Sequence, residues 1–426
     1  MYEDRASVPE GERWSVELIF PDMDAWQREF EAIENALPGM EGYKGTLHEG
    51  GHRIAEFLEA SGGLERRADL VYTYAHLRHD EDTRVEAYHA AHNKARDLMA
   101  ALSAITAFFC PELLALPPDK AEAFLAGEEL APYHTHLRRI LDLRPHVLSA
   151  AEERLLAELS PCLQAAGTIF RAFNDADLRF ESLQGKDEEE IPLTHGSWYG
   201  LMIHPHRELR ARAFDGFFGT FSKWGNLLAS TLDAQAKKHA TEARLRGYSS
   251  TLEAALTPRR LKREVHDNLL NTMKAGMGTH HRYLRLRKKL LGVDRLEFYD
   301  LYAPLAKIAP KKYTKEEAVE VVLAAVSPLG KEYRGDLSRG FEERWVDWPE
   351  CRGKRSGAYS SGCYDSRPYI LMNFDGTLNG VFTLAHEAGH SLHSHYSKRG
   401  QPFFYSQYPI FLAEVASTLN EQLLAH

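Results

Sequence analysis

Two histidines and a glutamate lie close together late in the sequence, where His386, Glu387 and His390 form the pattern His-Glu-x-x-His. On a helix, side chains four residues apart lie on one face, so both imidazoles can bind the same metal ion. Glu387 is rotated away from that face, which suits a general base that takes a proton from a metal-bound water molecule. A chain this rich in His and Glu contains the pattern by chance in roughly one case in ten, so the neighbouring residues must support it.

The residues around this pattern predict a helix. The apolar residues on one side of it form a stripe: Val381, Leu384, Ala385, Ala388 and Leu392. Lys398, Gly400 and Pro402 follow in the order that is typical of a helix C-terminus. Gly389 lies in the helix interior, where glycine costs about 1 kcal/mol relative to alanine. Such a glycine predicts that another backbone packs closely against the helix.

A third ligand is expected, because catalytic zinc is held by three protein ligands and keeps one position open for water. A second predicted helix begins near Ile410, and its residues Glu414 and Glu421 share a face with Ser417. A helical hairpin would bring Glu414 to the metal and leave Glu421 or Ser417 to orient a ligand from behind. The alternative is that both glutamates are ordinary surface charges. The residues expected to pack this helix are Leu412, Val415 and Leu419.

His393 completes a row with His386 and His390 along the same helix face. It could be interpreted as a further ligand. The rise along a helix moves it away from an ion held by the other two imidazoles. We therefore expect His393 to line the site or to support a ligand.

The elements that must position these residues are mostly helices. Asp22 precedes a helix whose apolar residues are Trp26, Phe30 and Ile33. Two helices, near residues 54–60 and 64–77, are expected to be separated at Gly62 and Gly63.

A β-hairpin is expected from the alternating residues 178–183 and 191–193. We therefore predict a mainly α fold with a minor β component. The domains expected are an N-terminal helical domain, residues 1–195, and a catalytic domain, residues 196–426.

Composition narrows the function further. The chain has 52 Lys and Arg against 61 Asp and Glu, which gives a formal net charge of -9. This balance argues against nucleic acid as a partner and against electrostatic attachment to a membrane. The most apolar stretch, residues 99–110, is too short to span a bilayer. Four cysteines without Cys-x-x-Cys spacing, and no apolar leader at the start, favour a cytoplasmic protein.

Several separated motifs resemble one family. HEAGHSLH at 386–393, followed by FLAEVASTLNE at 411–421, is similar to the thimet-oligopeptidase-like zinc metallopeptidases, and specifically to their oligoendopeptidase F branch. Residues 354–362, 364–373 and 376–379 extend the resemblance upstream. It implies a zincin-type helical fold with a deep channel, one Zn²⁺ per chain and cleavage of short peptides. By position it assigns His386, His390 and Glu414 as ligands and Glu387 as general base.

The resemblance also suggests where a peptide would bind. Residues 364–373 alternate as a strand does, and the family makes this strand a sheet edge to which a peptide could add as another strand. The substrate-binding residues expected on this basis are Gly357, Ala358, Tyr359 and Tyr369. An ordinary sheet edge without substrate is the alternative.

The family continues beyond the helix that carries Glu414, and its later segment supplies His and Tyr side chains to the substrate. Residues 423–426 show no stop signal for that helix. We therefore expect the C-terminal part of the catalytic domain to be missing, either because the chain is truncated or cleaved or because a separate polypeptide completes the domain. Two other functions stay open: a catalytically impaired, peptide-binding relative, and a metallo-carboxypeptidase.

Overall fold

The computed structural model describes residues 2–185, 189–305 and 311–426, which form two compact units. Unit 1 comprises Met1–Asp142 and Pro310–His426, and unit 2 comprises Leu143–Ala309. This grouping differs from the division expected near residue 195, which falls inside unit 2. One reason is that Glu153, before that point, pairs with Arg246, after it, at 2.7 Å.

The helices and strands, in chain order, have the following bounds. The helices are α1 Met23–Ala36, α2 Gly51–Glu81, α3 Glu86–Thr106, α4 Phe109–Ala115, α5 Pro118–Leu125, α6 His134–Leu141, α7 Ala150–Leu163, α8 Ala165–Arg171, α9 His195–Met202, α10 Arg207–Lys223, α11 Gly225–Leu245, α12 Thr251–Leu256, α13 Arg263–Leu291, α14 Lys315–Ala325, α15 Lys331–Glu342, α16 Leu378–Gly400 and α17 Ile410–Ala425. The strands are β1 Leu183–Gln184, β2 Glu190–Ile191, β3 Val346–Asp347, β4 Tyr359–Ser361 and β5 Tyr369–Leu371. The fold is mainly α with a minor β component, as predicted.

The first part of unit 1 is a layer of helices built on α1, α2 and α3. Trp26, Phe30 and Ile33 of α1 are buried, as their spacing predicts. The break expected at Gly62 is wrong, because α2 runs without interruption from Gly51 to Glu81. A Cβ at Gly62 would lie 3.0 Å from the ring of Phe404, so this glycine serves close packing rather than a helix end.

The segment Glu86–Ala115 has the length and hydropathy of a membrane span, the only such segment in the described part of the chain. It is two helices, α3 and α4. Ala91, Ala95, Leu98 and Leu102 of α3 are buried in the core of unit 1. A single segment of this kind is weak evidence, since core helices have the same composition.

A three-stranded sheet lies beside α16 in the order β3-β5-β4. β5 pairs in parallel with β3 and antiparallel with β4. The expectation that residues 364–373 form a sheet edge is therefore wrong, because their strand β5 is central. The edge next to α16 is β4, where Ser360 and Ser391 share a hydrogen bond of 2.8 Å between their hydroxyls.

The apolar stripe of α16 forms the core of this region. Val381, Leu384, Ala385, Ala388 and Leu392 are all buried and pack with residues of α14, α15 and the sheet. Asp347 of β3 is also fully buried, where Lys354 Nζ lies 2.6 Å from its carboxylate and Arg5 donates to it at 2.7 Å. Buried charges are tolerated when they are paired in this way.

Unit 2 contains α7–α13 and the hairpin of β1 and β2, which pair antiparallel. The hairpin is predicted, but its strands are shorter than expected, since residues 178–182 and 192–193 are not strand. Residues 186–188 of its turn lie outside the described residues. Asp300 is fully buried and accepts hydrogen bonds from Arg207 and Arg210 of α10. Arg287 of α13 donates to the backbone oxygen of Asp300. One buried carboxylate thus joins the segment after α13 to α10.

Candidate metal centre

Side-chain atoms of His386, His390 and Glu414 that could bind a metal ion converge. The Nε2 atoms of the two histidines are 3.1 Å apart, and Glu414 Oε2 lies 3.3 Å and 3.4 Å from them. Ligand atoms on a tetrahedral zinc ion, with bonds near 2.0–2.1 Å, are about 3.3–3.4 Å apart. Within the described ranges this is the only group of three such side chains whose ligand atoms lie within 4.8 Å of one another. The donor set and the spacing both fit a tetrahedral ion.

The convergence depends on the close approach of α16 and α17. A Cβ on Gly389 would lie 2.6 Å from Ser417 Cα and 2.8 Å from the carbonyl oxygen of Ala416. No side chain larger than hydrogen fits there without moving one helix. The backbone approach predicted from Gly389 is therefore present, and it brings Glu414 within reach of the imidazoles on α16.

Two further polar residues on α17 form hydrogen bonds with the candidate ligands His386 and Glu414. Glu421 Oε1 lies 2.5 Å from His386 Nδ1, so the other ring nitrogen of His386 is free to face an ion. A carboxylate behind a histidine ligand fixes its orientation and raises its basicity. Ser417 is buried, and its hydroxyl donates to Glu414 Oε2 at 2.8 Å.

The packing side of α17 differs from the expected one. Leu412, Val415 and Leu419 are 43%, 57% and 46% exposed, so the expectation that they pack this helix is wrong. The side that faces α16 carries Ser417 and Asn420, which are 0% and 1% exposed. Ser417 and Asn420 are small or polar, and together with Gly389 they allow α16 and α17 to lie close to each other.

Asn420 has a role that the sequence reasoning missed. Its amide nitrogen donates to the carbonyl oxygen of Ala385 at 3.1 Å, and its amide oxygen accepts from the hydroxyl of Tyr333 at 3.0 Å. The bond to Ala385 ties α17 to α16 beside the first ligand. The signal for it is that Asn420 is spaced three residues from Ser417 on the same helix face.

Glu387 lies beside the ligands but on a different face, as predicted. Its side chain is buried, with 7% of the residue exposed. Burial raises its pKa to about 6, which His386 and a backbone hydrogen bond from Ser360 partly oppose. A buried carboxylate with one neutral donor is a stronger base than one in water.

His393 is not part of the group of converging ligand atoms. Its ring stacks on Tyr408, with the ring centroids 3.7 Å apart. Burial lowers its pKa, and His390 adds to this effect. This position agrees with a lining residue and not with a ligand.

The four residues expected to contact substrate fall into two groups. Gly357, Ala358 and Tyr359 are in or just before the edge strand β4, and Gly357 is exposed. Tyr369 is fully buried in β5, and its hydroxyl donates to the carbonyl oxygen of Ser15. A side chain in that position has no surface for a substrate, which corrects the expectation for Tyr369.

Comparisons with known proteins show which family this chain is similar to. Residues 201–426 match the family model described as Peptidase family M3, and residues 112–180 match the one described as Oligopeptidase F. Oligopeptidase PepF of Bacillus subtilis is 43% identical over 99% of this chain and 63% of its own length. Group B oligopeptidase PepB of Streptococcus agalactiae is 36% identical over 100% of this chain and 70% of its own length.

Solved structures give the same result. A Chlamydophila abortus protein matches with a TM-score of 0.89 and 33% identity, over all of this chain and 71% of its own. The oligoendopeptidase-F of Enterococcus faecium matches with a TM-score of 0.64 and 32% identity, over 93% of this chain and 66% of its own. The chain therefore belongs to peptidase family M3. Within that family it is similar along nearly its whole length to the oligoendopeptidase F proteins, as the motifs predict.

Proposed function

We propose that the chain is a zinc-dependent endopeptidase of the oligoendopeptidase F type, which hydrolyses short peptides. The observation that carries the proposal is the group of two imidazoles and one carboxylate with tetrahedral spacing, next to the buried carboxylate of Glu387. The names of the similar proteins, oligopeptidase and oligoendopeptidase F, agree with it.

The ion is proposed to be zinc, one per chain, held by His386, His390 and Glu414. Two histidines and one glutamate with an open position are a ligand set that catalytic zinc sites use. When bound, zinc supplies a Lewis acid that polarises a carbonyl group and a lowered pKa for a neighbouring water molecule. Glu421 and Ser417 keep His386 and Glu414 in the orientation that binding requires.

Glu387 is proposed as the general base and acid. Its carboxylate accepts a proton from the attacking water and then donates that proton to the nitrogen of the departing amine. The edge strand β4 lies next to the helix that carries Glu387, since the hydroxyls of Ser360 and Ser391 are hydrogen-bonded.

The substrate is proposed to bind along β4, through Gly357, Ala358 and Tyr359. A peptide that adds to a sheet edge is held by its main chain, so many sequences can bind. A narrow channel, as the family resemblance implies, would limit substrates to short peptides.

A separate polypeptide is proposed to cover the exposed apolar side of α17 and to supply further donors to the substrate. Leu412, Val415 and Leu419 form that side, together with Ile410 at 68% exposure. An apolar surface of this size on a helix end is often an interface.

The proposed compartment is the cytoplasm, since all four cysteines are free. Two of them, Cys351 and Cys363, are buried in unit 1. Free thiols in an ordered protein fit a reducing environment.

The test combines metal analysis with peptide cleavage. We expect about one zinc per chain and cleavage of a short quenched peptide that stops with a chelator and returns when zinc is added. A peptide blocked at both ends should still be cleaved, which separates an endopeptidase from a carboxypeptidase. A stable folded protein should remain intact. Zinc-dependent binding of the peptide without cleavage would instead favour the catalytically impaired relative.

A further inference from the structure

Asp80, at the end of α2, is a buried carboxylate that the metal centre does not use. It is 1% exposed, and its two oxygens lie among donors from two parts of the chain. Tyr359 donates through its hydroxyl at 2.9 Å, and Arg355 through its guanidinium at 3.0 Å. His79 Nδ1 lies 2.9 Å from the other carboxylate oxygen. The backbone N–H of Arg355 also donates to the backbone oxygen of Asp80, at 3.0 Å.

The two donors from outside α2 are Arg355 and Tyr359, and they flank residues 356–358, the segment that leads into the edge strand β4. Arg355 precedes this segment, and Tyr359 is the first residue of β4. Between them Gly357 has a φ of +86°, and a Cβ added at this position would have no atom within 4 Å. Asn373, two residues after β5, holds the same segment by donating to the carbonyl oxygens of Arg355 and Gly357. The segment is thus fixed to its surroundings by side chains, and Asp80 supplies the charged contact.

The next residue of β4 reaches the metal-binding helix. Successive side chains of a strand point to opposite faces, so Tyr359 and Ser360 are directed to different sides of the sheet. The hydroxyl of Ser360 is hydrogen-bonded to that of Ser391, which lies one helical turn after Glu387 on α16. β4 is therefore held on one side by Asp80 and on the other by α16, with Glu387 beside it.

We propose that Asp80 is a positioning residue for this site: by holding Tyr359 and Arg355 it fixes the edge strand β4 at the distance from Glu387 at which a bound peptide is aligned for cleavage. The inference rests on the proposed peptidase function. Hydrogen bonds to an ionised group are stronger and more directional than neutral ones, so a buried carboxylate fixes a strand more closely than apolar packing does. Asp80 acts through the strand, since its own carboxylate is too buried to touch a substrate.

The experiment compares Asp80→Asn, Tyr359→Phe and the double variant with the parent chain. Tyr359→Phe removes only the hydroxyl that donates to Asp80. Glu59→Gln, which alters an exposed carboxylate on the same helix, is the matched control.

For a peptide long enough to pair along β4, we expect each single variant to raise KM roughly 10-fold, as loss of a hydrogen bond to a charged group does. KM for the shortest cleavable peptide should change less than about two-fold, because it lacks the main-chain pairing.

The double variant tests whether the two residues act as one unit. If Asp80 works through Tyr359, the double variant should raise KM about as much as either single variant. Multiplied effects, or equal effects on long and short peptides, would overturn the proposal. Unchanged kinetics in both single variants would overturn it as well.

Amide hydrogen exchange of residues 355–361 separates this inference from the peptidase proposal. We expect faster exchange there in Asp80→Asn and Tyr359→Phe than in the parent and in Glu59→Gln, with equal zinc content in all four. Unchanged exchange overturns the role of Asp80 even if the chain is an active peptidase. Faster exchange in the two variants, combined with a parent chain that cleaves no peptide, would support the contact of Asp80 with β4 and remove the peptidase proposal instead. If Asp80→Asn does not fold, Tyr359→Phe carries the same test alone.

Discussion

His386 contacts two carboxylates that serve different purposes. Glu414 Oε2 faces its Nε2 atom at 3.3 Å, where an ion would bind, and Glu421 lies behind the ring at Nδ1. Glu414→Ala should therefore weaken zinc affinity severely, because it removes one of three ligands. Glu421→Ala should weaken it by roughly 10–100-fold, as loss of a supporting carboxylate does. Competition with a chromophoric chelator measures both, and a larger loss in Glu421→Ala would show that the two roles are reversed.

Glu387→Gln tests the role of the buried carboxylate. The amide has nearly the same shape, so zinc content and thermal stability should stay close to those of the parent. Turnover of a short peptide should fall by at least about 10²-fold, the lower range for loss of a general base. Activity within a few-fold of the parent, or loss of zinc from the variant, would contradict the assignment.

Glu65 gives a dependence of stability on pH that is separate from catalysis. Burial raises its pKa to about 7, and the neighbouring charge of Asp69 adds to this. A carboxyl whose folded pKa exceeds its unfolded value of 4.5 stabilises the fold below pH 4.5, and this contribution is lost as the pH rises through 7. Glu65→Gln should therefore be more stable than the parent at pH 8, and about equal to it at pH 4.

The size of this effect is moderate. Glu65 is partly exposed, so solvent screens its charge. We therefore expect Glu65→Gln to raise the free energy of unfolding at pH 8 by about 1–2 kcal/mol, which is less than about 1.4 kcal/mol for every unit of the pKa shift. Urea unfolding at the two pH values measures it, with Glu59→Gln as the control on the same helix. A stabilisation that is the same at both pH values would show that ionisation of Glu65 is not its cause.

At this scale helical spacing indicates which side chains can act together. It puts His386 and His390 on one face of α16, because helical periodicity decides which side chains share a face, whereas the meeting of Glu414 with them depends on the packing of α17 against α16. Tyr369 could not be assigned in the same way. Its burial depends on which strand occupies the centre of a small sheet, and that order is set by contacts with β3, far away in sequence.

At the scale of elements, the α16–α17 pair depends on one glycine. Gly389→Ala would insert a methyl group 2.6 Å from Ser417 Cα, so one helix must shift. We expect a destabilisation of about 1–3 kcal/mol, as overpacking in a core causes. Zinc affinity should fall as well, because the shift moves Glu414 away from the imidazoles.

Gly63→Ala on α2 is the matched control for this prediction. Gly63 lies in a helix interior, and nothing lies within 4 Å of the position of its Cβ. Alanine should therefore stabilise the helix slightly. Urea unfolding and zinc titration of both variants measure the difference. Equal stability and equal zinc affinity in the two variants would argue against the close helix contact.

Glycine was informative in one helix and misleading in another. At Gly389 the cost of glycine inside a strong helical pattern indicated close packing, and the structure has it. At Gly62 the same residue was interpreted as a helix end, although it also lies under a packed ring, that of Phe404. The two cases differ only in the tertiary partner, which a single sequence does not contain.

At the scale of the whole molecule, both units contain buried, paired carboxylates, such as Asp347 in unit 1 and Asp300 in unit 2. Asp300 of unit 2 neutralises Arg210, which is only 3% exposed. Asp300→Ala should destabilise unit 2 by about 3–5 kcal/mol, because it leaves a buried guanidinium unpaired. Zinc affinity should stay within two-fold of the parent, roughly 0.4 kcal/mol, since all three ligands belong to unit 1.

Amide hydrogen exchange of residues 143–309 measures the first effect, and zinc titration measures the second. Asp233→Ala is the control, because its pair with Lys237 is exposed and should contribute less than about 1 kcal/mol. A large loss of zinc affinity in Asp300→Ala would mean that the metal centre depends on unit 2.

The division into units could not be predicted from local patterns. The sequence favoured a boundary near residue 195, where helical periodicity gives way to a hairpin. The structure groups the first 142 residues with the last part of the chain instead. Such a grouping is a matter of long-range contacts, for example those of Arg5 with Asp347, and not of a change in local composition.

All the ligands and their supporting carboxylate come from two consecutive helices joined by a short connection. Closing a short loop costs little chain entropy, so this hairpin can assemble without first bringing distant parts of the chain together. A metal ion that joins α16 to α17 would act on it as a cross-link does, by restricting the open forms of the hairpin. Loss of the ion would then show first as local opening of these two helices, while the α1–α3 layer stays closed.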